Sequence, residues 1–418
     1  MKRAHGRKHV EGLSLIEILV ALAISAILVL GLVEVFAASR TAYQLSSGLA
    51  RVQENGRFAL DFLQRDIRMA GHMGCVNDQA RFLPGNVTPS RPALASTFLT
   101  AADQAAANYA AAPEALRFDM GIEGYDAKIG GNGAVTGSGS TITLATAPAK
   151  ATAATAWQPQ LSAGLFAALK NPVQNSDVVV LRYFAPQGAQ MTTFLPGDPA
   201  TITVDGSQAA RLTEGDANPA LFGITDCINA AVFQASKPLA GGTIEVRMNG
   251  LNKSGLLGSQ SFVQGQAVIY RAESIAYYVG INDRGNPSLF RLKYSPAPGA
   301  GAVTHTNEEL VEGIESLQLQ YGQDSRTAAA DRPTGNIGSS VLANAVQPAG
   351  DLQTAWRRVG LVQVGVVARS PEPAAAAQAD ASIAPLSALG VSVTAPNDTR
   401  YRTVYEDSIA LRNRLFGN

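Results

Sequence analysis

Between Leu13 and Ala38 polar residues all but vanish: over 26 positions only Ser14, Glu17, Ser25 and Glu34 interrupt Leu, Ile, Val, Ala, Gly and Phe. As a helix this run reaches about 39 Å, enough to cross a hydrocarbon core of about 30 Å. The pattern then becomes amphipathic. Val52, Ala59, Leu60, Leu63, Ile67 and Ala70 recur at helical spacing, and Arg57–Asp61 and Asp61–Arg65 stand four apart on a polar face. Gly71 and Gly74 are typical stops. One helix over 13–71 is therefore predicted, its first half (13–38) fit to span a membrane. Gly31, Gly48 and Gly56 are its weak points.

Past the helix the period changes to two. Val178–Tyr183 is a short β-branched run, Leu317, Leu319 and Tyr321 alternate with glutamines, and Val359–Val367 supplies another strand. Residues 266–281 and 288–294 flank Asn282–Pro287, a cluster of turn formers that predicts a hairpin. The fold class is α+β, with a long N-terminal helix packed by its outer half on a mainly antiparallel sheet. The head is assigned to 72–418. Within it, residues about 100–170 are rich in Ala, Gly, Ser and Thr and read as an irregular insertion with a few short strands, not a second core; 371–385 reads as a surface loop.

Charge changes the picture at the N-terminus alone. Lys plus Arg equals Asp plus Glu at 33 each, so no nucleic-acid partner is expected. Yet residues 1–12 carry Lys2, Arg3, Arg7 and Lys8 against Glu11, a net +3. A basic head before an apolar run places the N-terminus in the cytoplasm and the head domain outside. Glu17 within that run is costly and calls for a role.

Three readings fit this segment. An ordinary signal peptide would be cut near Val35-Phe36-Ala37, and a plain anchor would not be cut at all. The third rests on Gly12-Leu13-Ser14-Leu15-Ile16-Glu17 ahead of the apolar run, which resembles the class III signal of type IV prepilins. That resemblance implies a leader over 1–12, peptidase cleavage between Gly12 and Leu13, N-methylation of Leu13, and retention of the helix. It also pairs Glu17 with the Leu13 amine of a neighbouring subunit. Two departures are Leu13 where Phe is usual and the lack of a helix proline.

Gln53–Cys75 (QENGRFALDFLQRDIRMAGHMGC), Ser176–Tyr183, Tyr270–Val279, Glu309–Gly322 and Ile409–Arg414 resemble segments of the PilW family of type IV pilus minor pilins. The family implies a pilin-like fold and a share in a priming complex at the pilus tip, supporting pilus biogenesis and hence twitching and adhesion. The implied partners are other minor pilins, the major pilin, a tip-associated adhesin, and the prepilin peptidase and methyltransferase. It implies an inner-membrane location before assembly, with a periplasmic head, and the surface pilus afterwards. The alternatives are a type II secretion pseudopilin, a tethered enzyme, or an adhesin acting through residues 80–170.

Cys75 and Cys227, 152 residues apart, would both face an oxidising compartment, so a disulfide is the natural pairing. A zinc site made with His72 and His305 is the alternative, without supporting ligand spacing. Catalytic motifs (G-x-S-x-G, H-E-x-x-H, the phosphate-binding loop) are absent from the sequence, and no catalytic residue, metal or cofactor is assigned.

Overall fold

The computed structural model describes residues 14–76, 94–100, 102–104, 106–255, 257, 261–328, 331, 333–374 and 386–411. The helix Leu15–Met69 is continuous over 55 residues, about 82 Å at the usual rise. Gly71 and Gly74 follow it with positive φ, as the sequence predicts for its end.

Among the described residues the strands form sheets of eleven, four and three strands. The spine of the largest is the antiparallel pair Val178–Leu195 and Val268–Ile281, running from Tyr277 opposite Val179 to Val268 opposite Gln190. The predicted hairpin forms, with Val268–Ile281 paired to Pro287–Tyr294 and His305–Glu312 added outside it. The four-stranded sheet has the order Ile337–Val341, Ile314–Asp324, Val359–Arg369, Arg402–Ala410, antiparallel throughout. The outer half of the helix lies against both sheets.

The stretch about 100–170 has the expected short elements, but its isolated large side chains enter the main core. Tyr109, Phe118, Tyr125, Trp157 and Leu165 are buried, and strand Ile122–Ala127 pairs with the spine. A separate apolar cluster forms from Met191, Ile202, Phe222, Phe233, Ile244 and Ile269, where the far half of the spine curls against Ala200–Val204 and Leu221–Thr225.

Buried charges tie the sheets internally. Glu123 bridges Arg117 and Arg182 at 2.8 Å each, and Glu315 bridges Arg369 at 3.0 Å and Arg402 at 2.7 Å, joining three strands of the second sheet. Asp177 accepts from the backbone N–H of Ala127 at 2.7 Å and of Leu319 at 2.8 Å, so one carboxyl pins both sheets together. Its neighbour Asp126 is fully buried with one oxygen unpartnered. Burial, reinforced by the Asp177 charge, pushes the Asp126 carboxyl up to about 9.

Candidate functional site

The residues singled out from the sequence fall at the two ends of the helix and do not meet. Gly12 and Leu13, with the whole leader, lie outside the described residues. Ser14 is the residue before the helix, and its carbonyl accepts the Glu17 and Ile18 N–H groups. Glu17 occupies the first turn, where the helix dipole favours a carboxylate, and its side chain is exposed. Among the described residues no hydrogen bond or ion pair satisfies that carboxylate within the chain, so a group from outside is needed.

The helix around it is equally unsatisfied. From Leu15 to Leu45 each large apolar side chain is between 40% and 77% exposed. It is the one described helix long and apolar enough to cross a membrane, with a mean hydropathy of 2.8 over its best window. Water cannot be the resting environment of so large an apolar surface. Lipid or other apolar helices must cover it.

The other end is held by the head. Gly48, Val52, Gly56, Ala59, Leu63 and Ile67 form the buried stripe. At Gly56 an added Cβ would lie 2.1 to 2.7 Å from the Tyr405 ring, and at Gly48 it would lie 2.5 Å from the Ala374 Cβ. Two of the three glycines expected as weak points are thus close-approach positions, where strand Arg402–Ala410 and the segment that follows Val359–Arg369 reach the helix backbone. Only the pattern with Val52 and Ala59, read as one stripe, could have revealed this.

Polar pins complete the docking. Asp66 accepts from the Tyr277 hydroxyl at 2.6 Å and from Arg291 at 3.3 Å; Gln64 donates to Asp407 at 3.0 Å. Beyond the helix, the Gly71 N–H donates to the Arg182 carbonyl at 2.9 Å, and the Phe184 N–H to the His72 carbonyl at 2.8 Å.

Cys75 is bonded to Cys227, with 4.8 Å between their Cα atoms. The disulfide consumes both thiols and so excludes the zinc alternative built on them. His72 instead sets Nδ1 2.8 Å from the Phe184 carbonyl and its ring edge-on to Tyr270, while His305 lies against Tyr294. Closing a loop of 152 residues stabilises the folded state by about 4–5 kcal/mol in the chain-entropy account. The bond fastens the end of the helix to the hairpin Leu221–Thr225 and Ala230–Gln234.

No curated protein and no solved structure matches the chain. Two family models do. Residues 7–33 match the prokaryotic N-terminal methylation motif, and residues 276–413 match Type IV Pilus-assembly protein W. The first covers the end of the basic head with Arg7 and Lys8, Glu17 and most of the apolar run; the second covers the hairpin from Ala276 onward, the edge strand and the four-stranded sheet that grips the helix. Both are pilus structural or assembly families. The chain is thus similar to type IV pilus proteins at both ends, in a prepilin-type methylation motif over residues 7–33 and a PilW region over residues 276–413.

Proposed function

We propose that the chain is a minor pilin that helps to prime type IV pilus assembly at the tip of the filament. In this reading a prepilin peptidase cuts between Gly12 and Leu13, and the new Leu13 amine is methylated. The helix holds the protein in the inner membrane with its head in the periplasm until it enters a pilus. The carboxylate of Glu17 then meets the Leu13 amine of an adjoining subunit, because a pair of opposite charges among apolar helices costs far less than either alone. The subunit's neighbours are other minor pilins, the major pilin and a tip-associated adhesin, and pilus biogenesis in turn supports twitching and adhesion.

The observation that carries the reading is the helix itself, apolar to Ala38, bare from Leu15 to Leu45 and locked into the head from Gly48 onward. Such a part can join a bundle of like helices without rearranging its own head. The head spans about 350 residues, too bulky to repeat at every position of a dense filament, which supports low stoichiometry.

Intact-mass and N-terminal analysis of the membrane-extracted protein tests the route. A mature chain starting at N-methyl Leu13 is expected. A start near Ala38, or an uncut Met1, would remove the pilin reading. Glu17→Ala should leave cleavage intact and abolish incorporation into sheared pili; normal incorporation would overturn the charge-pair argument.

A further inference from the structure

Strand His305–Glu312 is an outer edge of the largest sheet, paired with Pro287–Tyr294 on one side and, among the described residues, with no strand on the other. A row of unpaired N–H and C=O groups is a ready template for another chain, and proteins normally defend it with charge, proline or a cover. Here the defence is weak. No proline interrupts the strand. Glu308 is paired with Arg291 at 2.7 Å, Glu309 accepts from Asn282 and Ser288 at 2.8 Å each, and Glu312 accepts from Arg284 at 2.5 Å. All three carboxylates are spent on their own sheet.

Little covers the edge either. Among the described residues, the one bond reaching its backbone from beyond the hairpin partner is Asn55 Nδ2 to the Glu312 carbonyl, at 2.9 Å. A bulge at Leu310 leaves His305–Glu309 in regular register. Beyond the bulge the strand forms one wall of a groove of about 480 Å³, with Phe58, Phe62 and Pro371 among its other lining residues. Phe58 is 48% exposed there. Arg51, beside them, has no ion-pair partner among the described residues.

We propose that this edge receives an extended segment of another protein. The segment adds to His305–Glu309 as a strand, lays apolar side chains on Phe58 and Phe62, and sets a carboxylate against Arg51. Main-chain bonds give such an addition its affinity and the groove gives it selectivity. A second copy of this chain does not fit. Arg291, opposite Glu308, reaches Asp66, whereas Glu312 is held by Asn55, so the strand runs opposite to the helix. Symmetric antiparallel pairing of two copies would point their membrane helices in opposite directions.

The test uses the full chain in its native membrane and does not depend on the pilus reading. A photo-crosslinking phenylalanine replaces Thr306 or, as control, Thr192, exposed where Val178–Leu195 is already paired with Ala200–Val204. At Thr306 a discrete adduct is expected, whose crosslinked peptide is an alternating apolar and polar segment of another protein with an acidic residue. None is expected at Thr192. Phe58→Asp should lower the adduct about tenfold, as loss of a buried aromatic anchor does, with the disulfide and melting temperature retained. Should that variant unfold, Arg51→Glu on the surface reads the same loss. An adduct carrying the apolar helix of another pilin, an adduct between copies of this chain, equal yield from the folded variants, or no adduct at Thr306 would each overturn the proposal.

Discussion

From Leu15 to Leu45 the helix turns its largest side chains outward, with Leu28 and Phe36 each 68% exposed, whereas Val52, Ala59, Leu63 and Ile67 are fully enclosed by the head. One unbroken helix thus has two opposite relations to its surroundings. In the first half nearly every position is apolar, so no face is distinguished and the chain has nothing of its own to cover it. In the second half apolar residues keep to one stripe, and small residues within it let the sheet come close. Composition specifies a partner outside the molecule; periodicity specifies a partner within it.

The sharpest way to break this comparison is to delete the same side chain in each half. Leu63→Ala should cost the head about 3 kcal/mol by opening a cavity in a fully buried site. Leu28→Ala should leave head stability unchanged. Chemical denaturation of detergent-solubilised protein measures both, and a comparable loss from Leu28→Ala would mean that the exposed half also packs on its own chain.

Much of this was legible in the sequence. The helix and its end, the hairpin around Asn282–Pro287 and the strand beginning at Val359 follow from period and turn chemistry alone. Val178–Tyr183 was legible only in part: the strand continues to Leu195 through Ala-Pro-Gln-Gly-Ala-Gln, which has the composition of a loop. The core role of Tyr109 and Trp157 left no local trace, since single aromatics in a run of small residues have no period; their partners come from distant strands. Asp126 and Asp177 sit in sequence among Gly, Asn and Ser, like ordinary turn residues. Their burial is a tertiary fact.

That burial yields the next contrast. Asp126 is held protonated in the folded head, its carboxyl raised to about 9 against about 3.9 in the unfolded chain. The folded state therefore binds the extra proton, and stability falls as pH rises from about 4 toward 9. Asp177 beside it is raised as well, to about 7, so Asp126→Asn should flatten the slope without abolishing it and raise stability at pH 8, with no gain at pH 4. Thermal unfolding across that range checks it. A slope as steep in the variant as in the parent would assign the pH dependence elsewhere.

A smaller effect is expected where the helix and head touch most closely. In Gly56→Ala the new methyl displaces the half-buried Tyr405 ring, and about 1 kcal/mol is lost after the gain in helix propensity is subtracted. Trimming the ring by Tyr405→Leu in the same chain should recover most of it. If the double variant is no better than Gly56→Ala alone, the ring is not what the glycine accommodates.

The smallest effect belongs to the matching glycine of the exposed half. A Cβ at Gly31 meets nothing within 4 Å, so Gly31→Ala introduces no clash, and the head is too distant to register it. Its unfolding free energy should stay within about 0.5 kcal/mol of the parent, the ordinary scatter of a neutral surface change. The helix gains up to about 1 kcal/mol of local propensity, visible in the helical content of a peptide spanning Leu15–Leu45 and not in the head. A measurable shift of head stability would show that the two halves are mechanically coupled. An unchanged head together with loss of the protein from sheared pili would place Gly31 where a neighbouring helix approaches too closely for a methyl group, which is the role Gly56 has toward Tyr405, now played between molecules.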